Sequence, residues 1–252
     1  MRVDLNCDLG ESLGGYKLDS DRLVMPYITS ANIACGFHSG DIFTMRETVR
    51  LAIRFDVSVG AHPSLLDPSG FGRRKMDVTL REVEDLILHQ VSSLIEIAST
   101  EGARVNHVKP HGALYSMATR DSEIADAIAR AVQAVDPDLV LVGLSGSCLL
   151  DAGRDRGLRV ASEVFADRAY KANGDLVART TPGAVIDDSS IVVGRVTEMI
   201  KKGTVIALSG ERVALRADTV GLHSDTPGVE LLAKILRTKL ESAGVSVLSL
   251  RS

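Results

Sequence analysis

Short apolar runs alternate along this chain with longer segments in which apolar residues recur every three or four positions. The short runs predict β-strands, and the longer segments predict amphipathic helices. Nearly continuous apolar strands that alternate with helices are typical of a parallel sheet covered by helices. The predicted strands cover residues 3–7, 28–35, 57–61, 105–109, 139–142, 159–164, 220–223 and 245–248.

Capping residues predict where the helices begin and end. Asp41 is the expected N-cap of a helix that reaches about Phe55. Thr79 and Glu82 have the spacing of a capping box, and the helix that they open ends near Gly102. Further helices are predicted over residues 121–136, before Gly157, over 187–202 and over 226–244, with a β-hairpin at 205–217.

The number of strand–helix units predicts the fold class. Seven or eight units in 252 residues suit a closed β/α barrel of the TIM type. The first strand is not followed by G-x-G-x-x-G, which disfavours a dinucleotide-binding sheet. The predicted hairpin interrupts this alternation of strands and helices. No linker divides the chain, and residues 1–252 are expected to form one domain.

The amino-acid composition and charge argue against some classes of binding partner. The net charge is −4, and no basic tail or stripe is present, which argues against nucleic acid or an anionic membrane. Aromatic residues make up 4% of the chain and Trp is absent, so stacking platforms for single-stranded nucleic acid are not expected. No apolar run approaches the roughly 20 residues of a membrane span. The first residues lack an apolar signal core, so a cytoplasmic protein with reduced cysteines is expected.

Several residues with reactive or charged side chains lie at the end of the fourth predicted strand. His107 and Lys109 are two residues apart and should therefore share one face of that strand. Pro110 cannot donate to a sheet ladder, so the strand should end there and leave His111 just beyond it. Two imidazoles and an ammonium group at one strand end predict a binding or catalytic site.

Polar residues also follow the ends of other predicted strands. In a parallel barrel all these ends open on one face, where barrel active sites lie. Asp41 is equally well explained as a helix cap, and Arg73 with Arg74 is either a solvated pair or a clamp for a carboxylate or phosphate. The long loop at residues 64–77 is of a length that is usually functional or disordered. The polar residues that follow predicted strands are Asp8, Glu11, His38, Asp41, His62, Lys109, His111, Glu163, Asp167, His223 and Asp225.

Several of these residues lie in blocks that resemble the LamB/YcsF family over essentially the whole chain. The departure from the family pattern is Ser224, which stands where glycine is expected between His223 and Asp225. The blocks are residues 4–11 (DLNCDLGE), 31–38 (ANIACGFH), 60–63 (GAHP), 70–74 (GFGRR), 107–115 (HVKPHGALY), 163–170 (EVFADRAY) and 223–226 (HSDT).

This resemblance implies a distorted seven-stranded β/α barrel related to the glycoside hydrolase and deacetylase barrels. It also implies an activity, because the family is known as the A subunit of a prokaryotic 5-oxoprolinase. With partner subunits B and C, that enzyme opens the lactam 5-oxoproline (pyroglutamate) to L-glutamate and hydrolyses ATP. No G-x-x-x-x-G-K-[ST] sequence is present, so any ATP site here is not a P-loop, and a partner subunit is expected to bind much of the nucleotide.

The implied reaction suggests roles for the residues at the strand ends. An unstrained amide needs carbonyl activation, a general base and a cation that faces the developing charge. We expect Asp8 or His62 to activate water, Lys109 to stabilise the oxyanion or phosphoryl group, and His38 and His111 to orient water or transfer a proton. Arg73 or Arg168 would hold the substrate carboxylate. The full set of expected substrate-binding residues is Asn6, Glu11, Asp41, Arg73, Glu163, Arg168, His223 and Asp225.

Two other functions stay open from the sequence. One is a metal-dependent amidohydrolase or deacetylase, with Asp8, His38 and His62 as ligands to a divalent ion. The other is a non-catalytic subunit that binds the substrate and presents it to a partner. The sequence also leaves open whether the chain forms a homo-oligomer.

Overall fold

The computed structural model describes residues 1–12, 18–186, 188–223 and 228–250. Asp225 and Ser224 lie outside these residues, as do the predicted starts of the helices at residues 187 and 226. The strands are β1 (Arg2–Leu9), β2 (Ser30–Ala34), β3 (Ser58–His62), β4 (Val105–Val108), β5 (Val140–Leu144), β6 (Arg159–Phe165), β7 (Thr204–Ile206), β8 (Arg212–Ala214), β9 (Thr219–Leu222) and β10 (Ser246–Val247). The α-helices are α1 (Leu18–Val24), α2 (Ile42–Arg54), α3 (Leu80–Thr100), α4 (Gly112–Arg120), α5 (Ser122–Val135), α6 (Cys148–Asp155), α7 (Ser189–Lys202) and α8 (Val229–Ser242).

Seven parallel strands among the described residues close into a barrel, in the order β1-β2-β3-β4-β5-β6-β9 with β9 paired back to β1. The predicted α/β barrel is therefore confirmed. β7 and β8 form the predicted antiparallel hairpin outside the barrel, and β10 pairs in parallel with the first residues of β1. Parallel strands that all run in one direction bring their carboxyl ends together at one mouth.

The two faces of the strands differ in polarity, which the near-continuous apolar pattern did not predict. On β1, Val3, Leu5, Cys7 and Leu9 belong to the main apolar core. The alternate residues Asp4, Asn6 and Asp8 are also buried. Asn6 bonds to Glu163 on β6 and Asp8 bonds to Lys109 just after β4, although neither strand is a sheet neighbour of β1. Such contacts are possible only across the barrel interior. This part of the interior is therefore a hydrogen-bonded polar network, and the main apolar core lies between the strands and the helices.

Helix ends follow the predicted caps. The Asp41 carboxylate accepts from the Thr44 backbone N–H, and Thr79 and Glu82 form a complete capping box. The sequence pattern missed α1 and also α4, which begins directly after His111. Both are short, 7 and 9 residues, and a short helix gives only a weak periodic signal. None of the described helices has the length and apolar composition that a membrane-crossing segment needs.

Two glycines let polar side chains fill the barrel interior. A Cβ at Gly60 on β3 would overlap the His107 ring, and a Cβ at Gly221 on β9 would lie 2.5 Å from Glu163 Oε1. Glycine at these positions therefore makes room for the interior network.

The residue after β1 is held by a buried carboxyl group on α1. Asp21 accepts a 2.8 Å hydrogen bond from the Gly10 backbone N–H, next to Glu11. Burial is the main cause that raises the pKa of Asp21 to about 7, and the negative charge of Glu11 raises it further. The end of β1 is therefore tied to a group that prefers to be protonated.

We expect the stability to fall with rising pH because of Asp21. Between about pH 4 and pH 7 the folded carboxyl keeps a proton that the unfolded one loses, so the free energy of unfolding should decline by about 1 kcal/mol per pH unit. Asp21→Asn removes this titration and should stabilise the protein at pH 8.5 by about 2 kcal/mol. Urea denaturation of both proteins from pH 4 to 8.5 measures this, and two parallel pH curves would contradict it.

Candidate functional site

The mouth of the barrel opens into a cavity of about 1220 Å³. Asn6, Glu11, His38, Asp41 and Glu163 are not among the described residues that line it. Asp225 lies outside the described residues. The predicted residues that line the cavity are Asp8, His62, Arg73, Lys109, His111, Arg168 and His223.

Lys109 lies at the centre of the polar network. Its ammonium group is 2.9 Å from Asp8 Oδ1, 2.8 Å from Glu163 Oε1 and 3.1 Å from Asn6 Oδ1, and the side chain is buried. Burial alone would lower the pKa of Lys109, but the carboxylates of Asp8 and Glu163 outweigh it and raise the pKa above its usual value. Lys109 is therefore a fixed positive charge on the cavity floor.

Asp8 is the carboxylate that reaches the cavity. Its Oδ1 accepts from Lys109 and, at 2.8 Å, from Asn32 Nδ2, while its Oδ2 lies 3.5 Å from His62 Nε2. Burial by itself would raise the pKa of Asp8, but the positive charges of His62 and Lys109 hold it well below its usual range. Asp8 is therefore ionised at neutral pH.

Asn6 and Glu163 lie inside the barrel. Asn6 Nδ2 donates to Glu163 Oε1 at 3.0 Å, and Tyr115 donates to Glu163 Oε2 at 2.8 Å. We had expected both residues to contact substrate. The geometry instead assigns them to holding Lys109, because their polar atoms are used within the network.

Three histidines meet beside Asp8. His62 is T-shaped to His111 at 4.8 Å between ring centroids, and His38 is stacked on His111 at 3.8 Å. His38 Nδ1 is 2.9 Å from Ser64 Oγ, and its Nε2 is 3.3 Å from Glu11 Oε1. Burial is the first cause that lowers the pKa of both His38 and His111 to about 3, and the charge of His62 lowers both further. His38 and His111 are therefore neutral at physiological pH.

The long loop at residues 64–77 is ordered and positions these rings. Phe71 has a left-handed backbone conformation (φ 54°), which is uncommon outside glycine, and its carbonyl oxygen accepts from His111 Nε2 at 2.8 Å. Arg74 is held by Asp67 within the loop, whereas Arg73 lines the cavity. The loop is therefore part of the site rather than a disordered connection, and the two arginines have different roles.

Four of the residues can together hold a metal ion. One donor atom from each of Asp8, Glu11, His62 and His111 lies within 4.8 Å of the others. The sequence had suggested Asp8, His38 and His62 instead. The structure differs because His38 is turned toward Ser64 and Glu11, and His111 occupies the place beside His62.

The opposite wall of the cavity carries a second polar group. His223 Nδ1 is 3.2 Å from Asp167 Oδ1, and its ring is stacked on Phe165 at 5.1 Å. Arg168 is buried and donates from Nη2 to the Val177 carbonyl at 2.6 Å, but its Nε has no hydrogen-bond partner among the described residues. Burial, followed by the charge of Arg179, lowers the pKa of Arg168 to about 10. Arg168 is therefore a buried cation, and its Nε is a buried donor to which none of the described residues bonds.

The sequence analysis did not identify two residues that hold the site residues in place. Asn32 bridges Asp8 and His107, with its Oδ1 2.8 Å from His107 Nε2, and Tyr115 holds Glu163. Asn32 lies between the apolar residues Ala31 and Ile33 of a strand, which is a signal that could have identified it. Tyr115 gave no such signal, because it lies on α4, a helix that the pattern missed. Asp41 remains a helix cap, and no contact of it with the cavity is seen in the described residues.

We predict that Lys109→Met destabilises the protein by about 3–5 kcal/mol, because it leaves the buried carboxylates of Asp8 and Glu163 without their cation. Adding Glu163→Gln should recover part of this loss, since one uncompensated charge is removed. Urea denaturation measures both effects. Lys75→Met, an exposed lysine on the cavity rim, is the control, and an equal loss in that variant would contradict the prediction.

Comparisons with known proteins agree with the residue blocks. The chain is 50% identical to the 5-oxoprolinase A subunit of Bordetella pertussis over 97% of each protein, and 49% identical to the protein of the same name from Pyrococcus horikoshii over 100% of this chain and 98% of that one. The crystal structure of a lactam utilization protein from Thermus thermophilus has a TM-score of 0.93 and 46% identity, covering 99% of this chain and 100% of that one. The LamB/YcsF family matches residues 3–252, and this chain belongs to that family.

Proposed function

We propose that this protein is the A subunit of a 5-oxoprolinase, which opens 5-oxoproline to L-glutamate with hydrolysis of ATP. The observation that carries the proposal is 50% identity over 97% of the chain to proteins that are named as this subunit. The charged cavity floor supports it independently, because lactam hydrolysis needs a cation near the carbonyl oxygen and a base near the attacking water.

Lys109 and Asp8 supply the central chemistry. The five-membered lactam is an unstrained amide, so transfer of the γ-phosphoryl group from ATP to its oxygen, which releases ADP, would activate the carbonyl carbon. Water would then add to that carbon, and the ring C–N bond would break as the nitrogen takes up a proton. Hydrolysis of the resulting acyl phosphate by a second water would release phosphate and L-glutamate. Lys109 then faces the oxygen or phosphoryl group, since its charge is fixed on the cavity floor. The pair of Asp8 and His62 takes the proton of the attacking water, because Asp8 Oδ2 and His62 Nε2 are both acceptors that face the cavity.

The substrate carboxylate has a separate partner on the opposite wall. Arg168 is buried, lines the cavity and has a donor without a partner among the described residues. Arg73 lines the cavity from the long loop and provides a second cation. A guanidinium group binds a carboxylate with two parallel hydrogen bonds, which would fix the lactam ring relative to Lys109.

ATP and the partner subunits also take part in the proposed reaction. The chain lacks a P-loop sequence, so we assign most of the ATP contacts to the partner subunits B and C. The relatives are themselves named as one subunit of an enzyme, which supports an assembly of several different chains. We also propose a cytoplasmic location, where ATP and the product glutamate are available.

The test is glutamate release from 5-oxoproline, measured with and without ATP, for this chain alone and with subunits B and C. We expect release only with ATP and all three subunits. Absence of glutamate in every combination would overturn the proposed function.

Asp8→Asn should lower kcat of the complete assembly by about 100-fold or more, because it removes the carboxylate from the proposed base. The exposed Asp77→Asn is the matched control and should leave kcat unchanged. Full turnover by the Asp8→Asn assembly would instead support a non-catalytic subunit that only presents substrate.

Arg168→Gln should raise KM for 5-oxoproline by about 10- to 100-fold, which corresponds to one or two hydrogen bonds to a charged group. The value of kcat should change less. Arg159→Gln, at the opposite end of β6, is the control because Arg159 is exposed and bonds to the Asp138 carbonyl. Steady-state kinetics of the assembly measure both constants, and an unchanged KM would remove Arg168 from the substrate site.

A metal-dependent amidohydrolase that does not use ATP is the second candidate function. The observation that favours it is the group of Asp8, Glu11, His62 and His111, whose donor atoms lie within 4.8 Å of one another. Hydrolysis that is lost on chelation and is indifferent to ATP would favour this function over the first.

A further inference from the structure

Two imidazole nitrogens face each other on the cavity floor, and neither carries a hydrogen when both rings are neutral. His111 Nδ1 lies 3.0 Å from His62 Nε2. A neutral imidazole carries one N–H group and one lone pair. Which nitrogen carries the hydrogen can be deduced from what the other nitrogen contacts.

Backbone carbonyl groups decide this for both rings. His62 Nδ1 lies 2.6 Å from the Lys109 carbonyl oxygen, and His111 Nε2 lies 2.8 Å from the Phe71 carbonyl oxygen. A carbonyl oxygen only accepts hydrogen bonds, so both of these nitrogens carry the hydrogen. His62 Nε2 and His111 Nδ1 are consequently both lone pairs, and they repel each other at 3.0 Å unless a cation lies between them.

Carboxylate oxygens surround the same point. Asp8 Oδ2 lies 3.5 Å from His62 Nε2, and Glu11 Oε1 lies 3.4 Å from His111 Nδ1. Asp8 Oδ1 already accepts from Lys109 and Asn32, so Oδ2 is the oxygen that is turned toward the histidines. Four acceptor atoms therefore converge on one place.

We propose that Asp8, Glu11, His62 and His111 bind one divalent transition metal ion of the Zn²⁺ class. Two donor atoms that each lie about 2.1 Å from one ion are about 3.0–3.4 Å from each other. The distances of 3.0, 3.4 and 3.5 Å between the neighbouring donors are close to that spacing. The cation removes the repulsion between the two lone pairs.

The donor types determine the class of ion. Two imidazole nitrogens with two carboxylate oxygens suit Zn²⁺ and its first-row neighbours, whereas Mg²⁺ prefers oxygen donors and retained water. The carbonyl groups of Lys109 and Phe71 act as outer partners that orient the two rings, as is usual for histidine ligands. The site is defined by the chain's own donors and not by the proposed ATP-dependent reaction. With the ion bound, Asp8 Oδ2 and His62 Nε2 are its ligands, so their role as the proposed base belongs to the ion-free protein.

A shared proton is the competing explanation. If His62 were an imidazolium group, its Nε2–H would donate to His111 Nδ1 and would satisfy both rings without a metal ion. The two explanations differ in one measurable property, since only a metal site binds a stoichiometric ion with an affinity that depends on His111.

The experiment uses the purified full chain after dialysis against a chelator. Isothermal titration with Zn²⁺ and with Mg²⁺ measures affinity and stoichiometry, and melting curves at several Zn²⁺ concentrations give an independent readout. We expect one equivalent of Zn²⁺, a rise in Tm with Zn²⁺ and much weaker binding of Mg²⁺. No Zn²⁺ binding, or equal affinity for Mg²⁺, would overturn the proposal.

Variants locate the ion. His111→Gln should weaken Zn²⁺ binding by more than the roughly 100-fold that loss of an outer partner can cause. Glu11→Gln removes a partly buried carboxylate, keeps both rings and should weaken binding even if His111→Gln does not fold. His89→Gln is the matched control, because His89 is exposed on α3 and stacks on Phe37 away from these residues. Unchanged affinity in Glu11→Gln and in a folded His111→Gln would place the ion elsewhere and overturn the site.

Discussion

The pairing of Lys109 with two buried carboxylates is the interaction on which the rest of the site depends. A buried ammonium group is costly unless it is paired, and a buried carboxylate is equally costly. Here the charges are paired. Lys109, after β4, forms ion pairs with Asp8 on β1 and with Glu163 on β6, and its positive charge is shared between the two carboxylates. The same contacts join strands that are not neighbours, so they also brace the barrel across its interior.

This arrangement links stability and chemistry. Glu163 and Asn6 fix Lys109 from inside the barrel, and Asp8 is left with one oxygen bonded to Lys109 and one turned to the histidines. Gly60 and Gly221 make room for the interior side chains, and the carbonyl groups of Lys109 and Phe71 orient His62 and His111.

Much of the fold could be predicted because its signals are local. Periodicity identified the parallel strands, and Asp41, Thr79 and Asp121 marked helix starts that the structure confirms. The helix α4 was missed because its 9 residues give only a weak periodic signal, although Ala113, Leu114 and Tyr115 pack against the core. The polar residues that face the barrel interior were also missed. A polar residue between apolar ones can be assigned to the interior only when it is known how the barrel closes.

The sequence by itself determined the family, the barrel and the strand ends that carry the chemistry, because motifs and periodicity are properties of the chain. Only the tertiary structure decided which of these side chains meet. Asn6 and Glu163 hold Lys109 rather than line the cavity, and His111 rather than His38 has a ring nitrogen 3.0 Å from His62 Nε2. The reason is that these contacts join residues that lie 49 to 157 positions apart, and the curvature and register of the closed barrel, which no local pattern encodes, set their distances.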